Sequence, residues 1–261
     1  MTAAPPLSPC ADLVRRGDPD RFLSAMTAPP ALRERLFALY AFNLELARIP
    51  GVVSEPMLGL MRLQWWRDAV AAAFDTGRPA GHEVAEPLAR TIRAADLPRA
   101  AFERLLDARA QDVTAEPFAD AAALNAYLRD TGGALMALAA RALGDGDGPA
   151  EDAGFALGAA SWLAAAPALA AAGRAPFPAD AEPRAAAQTL AREGLAALSR
   201  ARARRARVPP AARAAYLAGW RAGPTLGACL RADYDPLTGP GEASAFRNRA
   251  GLLWAAATGR W

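Results

Sequence analysis

The sequence predicts an all-α fold, and three observations predict it. Alanine, the strongest helix former, supplies roughly a quarter of the chain. β-branched residues are scarce, and no stretch sustains the apolar–polar alternation of a half-buried strand. Proline and glycine recur as punctuation between apolar runs spaced by three and four residues. Hydrophobic residues make up 53% and charged residues 22% of the 261 positions, a balance that fills a core and excludes a disordered chain.

The elements follow in order. Asp18-Pro19 sets a capping residue before a proline at the first helical position and opens a helix through Met26. A helix from Ala31 to Ile49 carries Leu32, Leu36, Leu39, Phe42 and Leu46 along one stripe, and Pro50-Gly51 is expected to end it. Ser54-Glu55-Pro56 opens the next, which runs to Phe74 with Met57, Leu60, Met61, Gln64 and Trp65 as its inward stripe. Asp75 to Pro79 reads as a loop. Further helices are expected over 83–94, 98–114, 120–143, 151–172, 182–207, 209–222 and 242–258. Asp96-Leu97-Pro98, Glu116-Pro117, the Gly-Asp-Gly-Asp-Gly run at 144–148, Pro176-Phe177-Pro178, Pro209-Pro210 and the segment from Pro236 to Gly241 separate them. With 1–17 loosely ordered, residues 1–261 read as one helical domain.

Composition closes several function classes. The single histidine, His82, removes every mechanism that needs two imidazoles and is expected on a solvated loop. Cys10 and Cys229 form no CxxC and no disulfide framework, which points to a reducing compartment. All 30 cations are arginine and face 27 acids, so the net charge is only +3. With no matching motif and no interleaved aromatics, a nucleic-acid partner is not expected. The amino terminus MTAAPPLSPC lacks a basic and an apolar signal region, and no uncharged run of transmembrane length and hydropathy is expected. These features imply a cytoplasmic protein, with at most peripheral contact on the inner face of the cytoplasmic membrane.

The run from Asp18 to Val70, containing YAFNLELARIPGVVSEPMLGLMRLQWWRDAV, resembles the squalene/phytoene synthase family. The resemblance continues in order through LLDARAQDV (105–113), YLRDTGGALMALAARALG (127–144), GFALGAASWL (154–163), GRAPFPAD (173–180) and YDPL (234–237). It implies an isoprenoid (terpenoid) synthase-like bundle around a central cavity. The first run is most similar to a divergent branch, the mitochondrial complex I assembly factor with a squalene/phytoene synthase-like domain and its bacterial relatives. That branch implies a role in biogenesis of NADH:ubiquinone oxidoreductase, with complex I subunits or assembly intermediates as partners.

Family chemistry ionises a prenyl diphosphate, and the departing diphosphate is clamped by Mg held on two aspartate-rich motifs of facing helices. At the positions the resemblance assigns to the first motif stand Ala47, Arg48 and Gly51, with Pro50 among them. The second should precede Gly173-Arg174, where residues 164–172 contain no acid. No metal or other cofactor is therefore expected, and the reading is a non-catalytic family member acting by protein or lipid binding. The alternatives are a prenyl-diphosphate transferase with an atypical Mg site built from Asp107, Asp112 and Asp68, and a module that binds an isoprenoid, quinone or other lipid without turnover.

Cavity-lining candidates are Tyr40, Asn43, Ala47, Gln64, Trp65, Gly132 and Gly133. For Trp65 the bland reading is core packing, with Trp66 partly exposed; for Gly132-Gly133 it is close helix approach. Arg200, Arg204 and Arg207 share one helix face and are candidates for contact with an anion or a partner. The last helix, bearing Leu252, Leu253 and Trp254, is expected to close the core and leave Trp261 as the harder residue to bury.

Overall fold

A computed structural model describes residues 7–53, 55–77, 81–241 and 245–261, without the side chains of 245–249. Among these residues there are fourteen α-helical segments and no strand.

The first helix, α1 (Pro9–Gly17), corrects the expectation of a loosely ordered start. Ser8 accepts a hydrogen bond from the Ala11 N–H, Pro9 occupies the first turn, and Cys10, Ala11 and Val14 are buried. Then come α2 (Pro19–Met26), capped by Asp18, and α3 (Arg33–Ala47), which follows a single 3₁₀ turn. Pro50-Gly51 does not end a helix as expected. The break falls at Arg48, and Ile49–Val52 forms a short α4 with Pro50 in its first turn, where its missing N–H costs nothing. The next helices are α5 (Pro56–Asp75), α6 (Ala85–Ala94) and α7 (Arg99–Thr114). Ser54, Arg78 and Pro79 lie outside the described residues.

The helix expected over 120–143 is three pieces: α8 (Ala121–Leu128), a π-helical stretch Arg129–Gly133, and α9 (Ala134–Ala142). Next are α10 (Ala150–Ala171) and α11 (Pro183–Ala203). The expected helix over 209–222 divides into α12 (Arg213–Leu217) and α13 (Ala222–Ala228), with Gly219-Trp220 in the turn between. The last, α14 (Ala245–Thr258), begins after residues 242–244, which lie outside the described residues. Leu252 and Ala255 are buried and help to close the core as expected, but the rest departs from the expectation. Trp261 is buried and stacks on Tyr216 at 4.5 Å, whereas Leu253 and Trp254 are exposed.

Two buried clusters sit on either side of α10. One is built largely from α1, α3, α5, α6, α7 and α9, the other from α8, α10, α11 and α13. By length and composition α10 reaches what a membrane crossing needs, with a mean hydropathy of 1.5 over its apolar window. The core helix of a folded domain meets the same test, so this alone is no clear transmembrane span. Here α10 packs on α9, α11, α13 and the π stretch.

Two glycine pairs bring α10 this close. A Cβ added at Gly132 would sit 2.7 Å from the Gly154 carbonyl oxygen and 3.1 Å from the Gly158 Cα. One added at Gly154 would sit 2.4 Å from the Gly132 oxygen. Backbone meets backbone, so no side chain fits the crossing.

Helix α5 is rotated from its expected setting. Gly59, Leu63, Trp66, Ala69 and Val70 face inward, while Met57, Leu60, Met61 and Trp65 are exposed. The cause is Gly59, whose missing Cβ lets Val113 approach to within 2.6 Å of where that atom would be. His82 is not freely solvated either. Its ring lies 5.2 Å from Trp65 and 5.3 Å from Trp66, and its Nδ1 accepts the Val84 N–H at 3.1 Å.

Replacing Gly154 with Ala forces the crossing apart and should lower unfolding free energy by about 2–3 kcal/mol. Gly227→Ala, at an exposed helical position with nothing within 4 Å, should leave it unchanged or slightly higher. Urea unfolding of the two variants beside wild type checks both.

Candidate functional site

Where α3, α7, α8, the π stretch and α10 converge, the fold encloses a cleft of about 350 Å³. Asn43 and Ala47, one turn apart on α3, form one wall, and Gly158, Ser161, Ala165 and Leu169 of α10 form the facing one. Asp112 and Arg109 come from α7, Tyr127 from α8, and Arg174 from the segment after α10.

One polar network ties these helices together. The Arg109 guanidinium donates to Asp112 Oδ2 at 2.7 Å, to the Tyr127 hydroxyl at 3.2 Å and to Asn43 Oδ1 at 2.9 Å. Tyr127 donates its own proton to Asp112 Oδ1 at 2.7 Å, and Arg174 donates to the Asp112 backbone carbonyl at 3.0 Å. Asp112 and Arg109 side chains are 9% and 13% exposed, so the pair is largely out of water. Burial works against the Arg109 charge, but the facing Tyr127 and Asp112 outweigh it and hold its pKa above the usual value. Burial pushes the Tyr127 phenol well up, so it stays a donor. Arg109 Nε is buried with no partner among the described residues.

The expected site residues divide. Asn43, Ala47, Gly132 and Asp112 line the cleft. Tyr40 does not: it is buried in the core, with the Arg21 guanidinium 5.6 Å from its ring centroid. Gln64 and Trp65 are exposed on α5 because of its rotation, and Gly133 packs against the Glu151 backbone instead. Asp107 is exposed and pairs with Arg67 at 2.5 Å, while Asp68 is exposed and accepts from Gln64 at 2.8 Å. The three aspartates therefore do not converge. Arg200 pairs with Asp152 at 2.7 Å and Arg204 donates to the Asp147 carbonyl at 2.8 Å, both within the chain. Arg207, in a 3₁₀ turn after α11, does not continue their helix face.

The donor set does not suit Mg. A magnesium ion wants several oxygen ligands in octahedral array, yet among the described residues Asp112 is the single carboxylate lining the cleft, and both its oxygens are already engaged. Among the described residues no group of three His, Cys, Asp or Glu side chains is placed to hold a metal. Arg109, Tyr127 and Arg174 were not singled out as site residues from the sequence. The spacing of Arg109 and Asp112 by three is the signal that marks the pair.

The squalene/phytoene synthase family model matches residues 14–182. The chain is 31% identical over 154 residues to NADH dehydrogenase (ubiquinone) complex I, assembly factor 6 of Bos taurus, covering 59% of this chain and 46% of that protein. The homolog from Drosophila melanogaster is 30% identical over 160 residues, covering 59% and 48%. The chain spans about half the length of the curated relatives it matches. Among solved structures, squalene synthase HpnC from Alicyclobacillus acidocaldarius has a TM-score of 0.71 at 19% identity, over 84% of this chain and 90% of that one. A dehydrosqualene synthase in complex with ligand has a TM-score of 0.78 at 14% identity, over 95% and 94%. The fold is thus the isoprenoid synthase-like helical architecture.

Removing the cation from the network should be severe. Arg109→Met leaves the buried Asp112 carboxylate with only Arg174, 4.0 Å from its Oδ1, as a counter-ion and should cost about 3 kcal/mol. Arg109→Met with Asp112→Ala should cost clearly less than the sum of the single changes, because neither charge is then stranded. A double-mutant cycle by urea unfolding measures this; simple additivity would mean the two side chains are not coupled.

Proposed function

The chain belongs to the squalene/phytoene synthase family, and from that membership we propose that it is a non-catalytic member acting in respiratory complex I biogenesis by binding. The observation that carries the reading is the wall of the cleft. Where two facing helices would need clusters of metal-holding acids, α3 offers Ala47 and α10 offers Ala165 and Leu169. The one carboxylate that lines it among the described residues is bound to Arg109 and Tyr127. A diphosphate leaving an allylic carbon in so apolar a place would have no clamp to stabilise it.

The complex I role is supported by relatives in mammals and insects whose names assign them to assembly of that complex. Its partners are then complex I subunits or assembly intermediates. The working part of the molecule is the cleft, read as a site for the chain of an isoprenoid or similar lipid rather than as a reaction chamber. Leu128, Leu135, Trp162 and Leu169 supply its apolar surface, and Arg174 its open polar edge.

Purified protein should release no diphosphate from farnesyl or geranylgeranyl diphosphate with Mg present, in a phosphate-detection assay. Mg-dependent release abolished by Asp112→Ala would reinstate the transferase. A deletion strain should assemble less NADH:ubiquinone oxidoreductase, read by native gel activity staining, and tagged protein should co-purify with its subunits. Normal assembly together with no co-purification would end the biogenesis role.

A further inference from the structure

The charges that line the cleft do not cancel. Three guanidinium groups line it, from Arg21, Arg109 and Arg174, against the single carboxylate of Asp112 among the described residues. Arg21 is answered from outside the cleft by Asp18 at 2.5 Å, and Arg109 by Asp112 at 2.7 Å. Arg174 is not answered. The one hydrogen bond its guanidinium makes among the described residues goes to the Asp112 backbone carbonyl at 3.0 Å, which carries no net charge. The Asp112 Oδ1 is 4.0 Å away and already accepts from Tyr127. Most of the five N–H donors of this guanidinium are therefore free, and 27% of the side chain is exposed.

The charge is also held beside hydrocarbon. The Arg174 backbone N–H donates to the Leu169 carbonyl at 2.9 Å, and Trp162 Nε1 donates to the Pro176 carbonyl at 2.7 Å. Both bonds tie the segment after α10 back to that helix, and Leu169 and Trp162 are themselves walls of the cleft. One fixed cation against an apolar surface is the complement of an amphiphile with one acid group.

We infer that the ligand of the cleft is a long-chain carboxylic acid, its chain on the apolar walls and its carboxylate on the Arg174 guanidinium, with no metal between them. The planar fork of an arginine matches a carboxylate in shape as well as charge. The charge count sets the head group: one uncompensated guanidinium neutralises one negative charge. A diphosphate carries several, and most would be left unmet in so apolar a cleft. The inference rests on the cleft taking an apolar chain, as proposed above, and adds the chemistry of that chain's end.

The test is calorimetric titration of the purified full chain with decanoate, 1-decanol and decylamine, each in EDTA. The cleft's 350 Å³ is room for about a dozen methylene-sized groups, each taken as about the size of a water, which these probes match. Wild type should bind decanoate about tenfold to a hundredfold more tightly than decanol, and decylamine most weakly. Arg174→Gln keeps a donor for the Asp112 carbonyl and removes the charge, so it should bind acid and alcohol alike. Arg174→Lys should restore part of the preference. Urea unfolding confirms that each variant is folded before its titration is read.

A preference that survives in folded Arg174→Gln would overturn the inference, as would one that appears only when Mg replaces EDTA. Should Arg174→Gln not fold, the wild-type comparison decides alone. Wild type binding decanol as tightly as decanoate removes the acid head group and leaves the apolar-chain reading standing. If wild type binds none of the three, both fall.

Discussion

A carboxylate taken out of water must find a cation, and in this molecule the cation is part of the chain. Asp112 is buried where helices from both halves of the fold meet, and Arg109, one turn earlier on the same helix, neutralises it while reaching Asn43 and Tyr127. Three helices are tied by one guanidinium. Both oxygens of the acid that lines the cleft are thereby engaged inside the fold. The proposed role by binding accordingly leans on the shape of the cleft and its apolar contacts.

Much of the fold was legible because helix signals are local. Asp18-Pro19 caps α2 as expected, and the breakers at 96–98, 116–117 and 176–178 lie between helices. The failures share a different cause. Helix α1 buries Cys10, Ala11 and Val14, two of them too small to draw an apolar stripe. The facing of α5 was misjudged because Met57, Leu60 and Met61 are more hydrophobic than Gly59, yet Gly59 decides the contact by being small. Burial follows fit as well as hydropathy.

The site was legible in outline. Asn43, Ala47, Gly132 and Asp112, named from the sequence, line the cleft together. Arg109, Tyr127 and Arg174 were missed, since each draws its role from a partner on another helix or loop. Long-range pairing leaves little trace in one sequence. The Arg200–Asp152 pair, 48 positions apart, shows the same point in reverse: a conspicuous cationic cluster is partly answered from within.

The π-helical stretch Arg129–Gly133 has a consequence of its own. A π turn is an α-helix with one extra residue looped out of the regular ladder. Deleting a single residue there would restore an ordinary helix with the downstream phase nearly unchanged, because a π turn and an α turn close the same full circle with one residue's difference. The inward side chains of α9, Leu135, Leu138 and Ala139 among them, would still face the core. The same deletion inside the regular part of α9 would instead swing everything after it round the axis by about 100°, so this stretch is where the long helical run best absorbs a change of length.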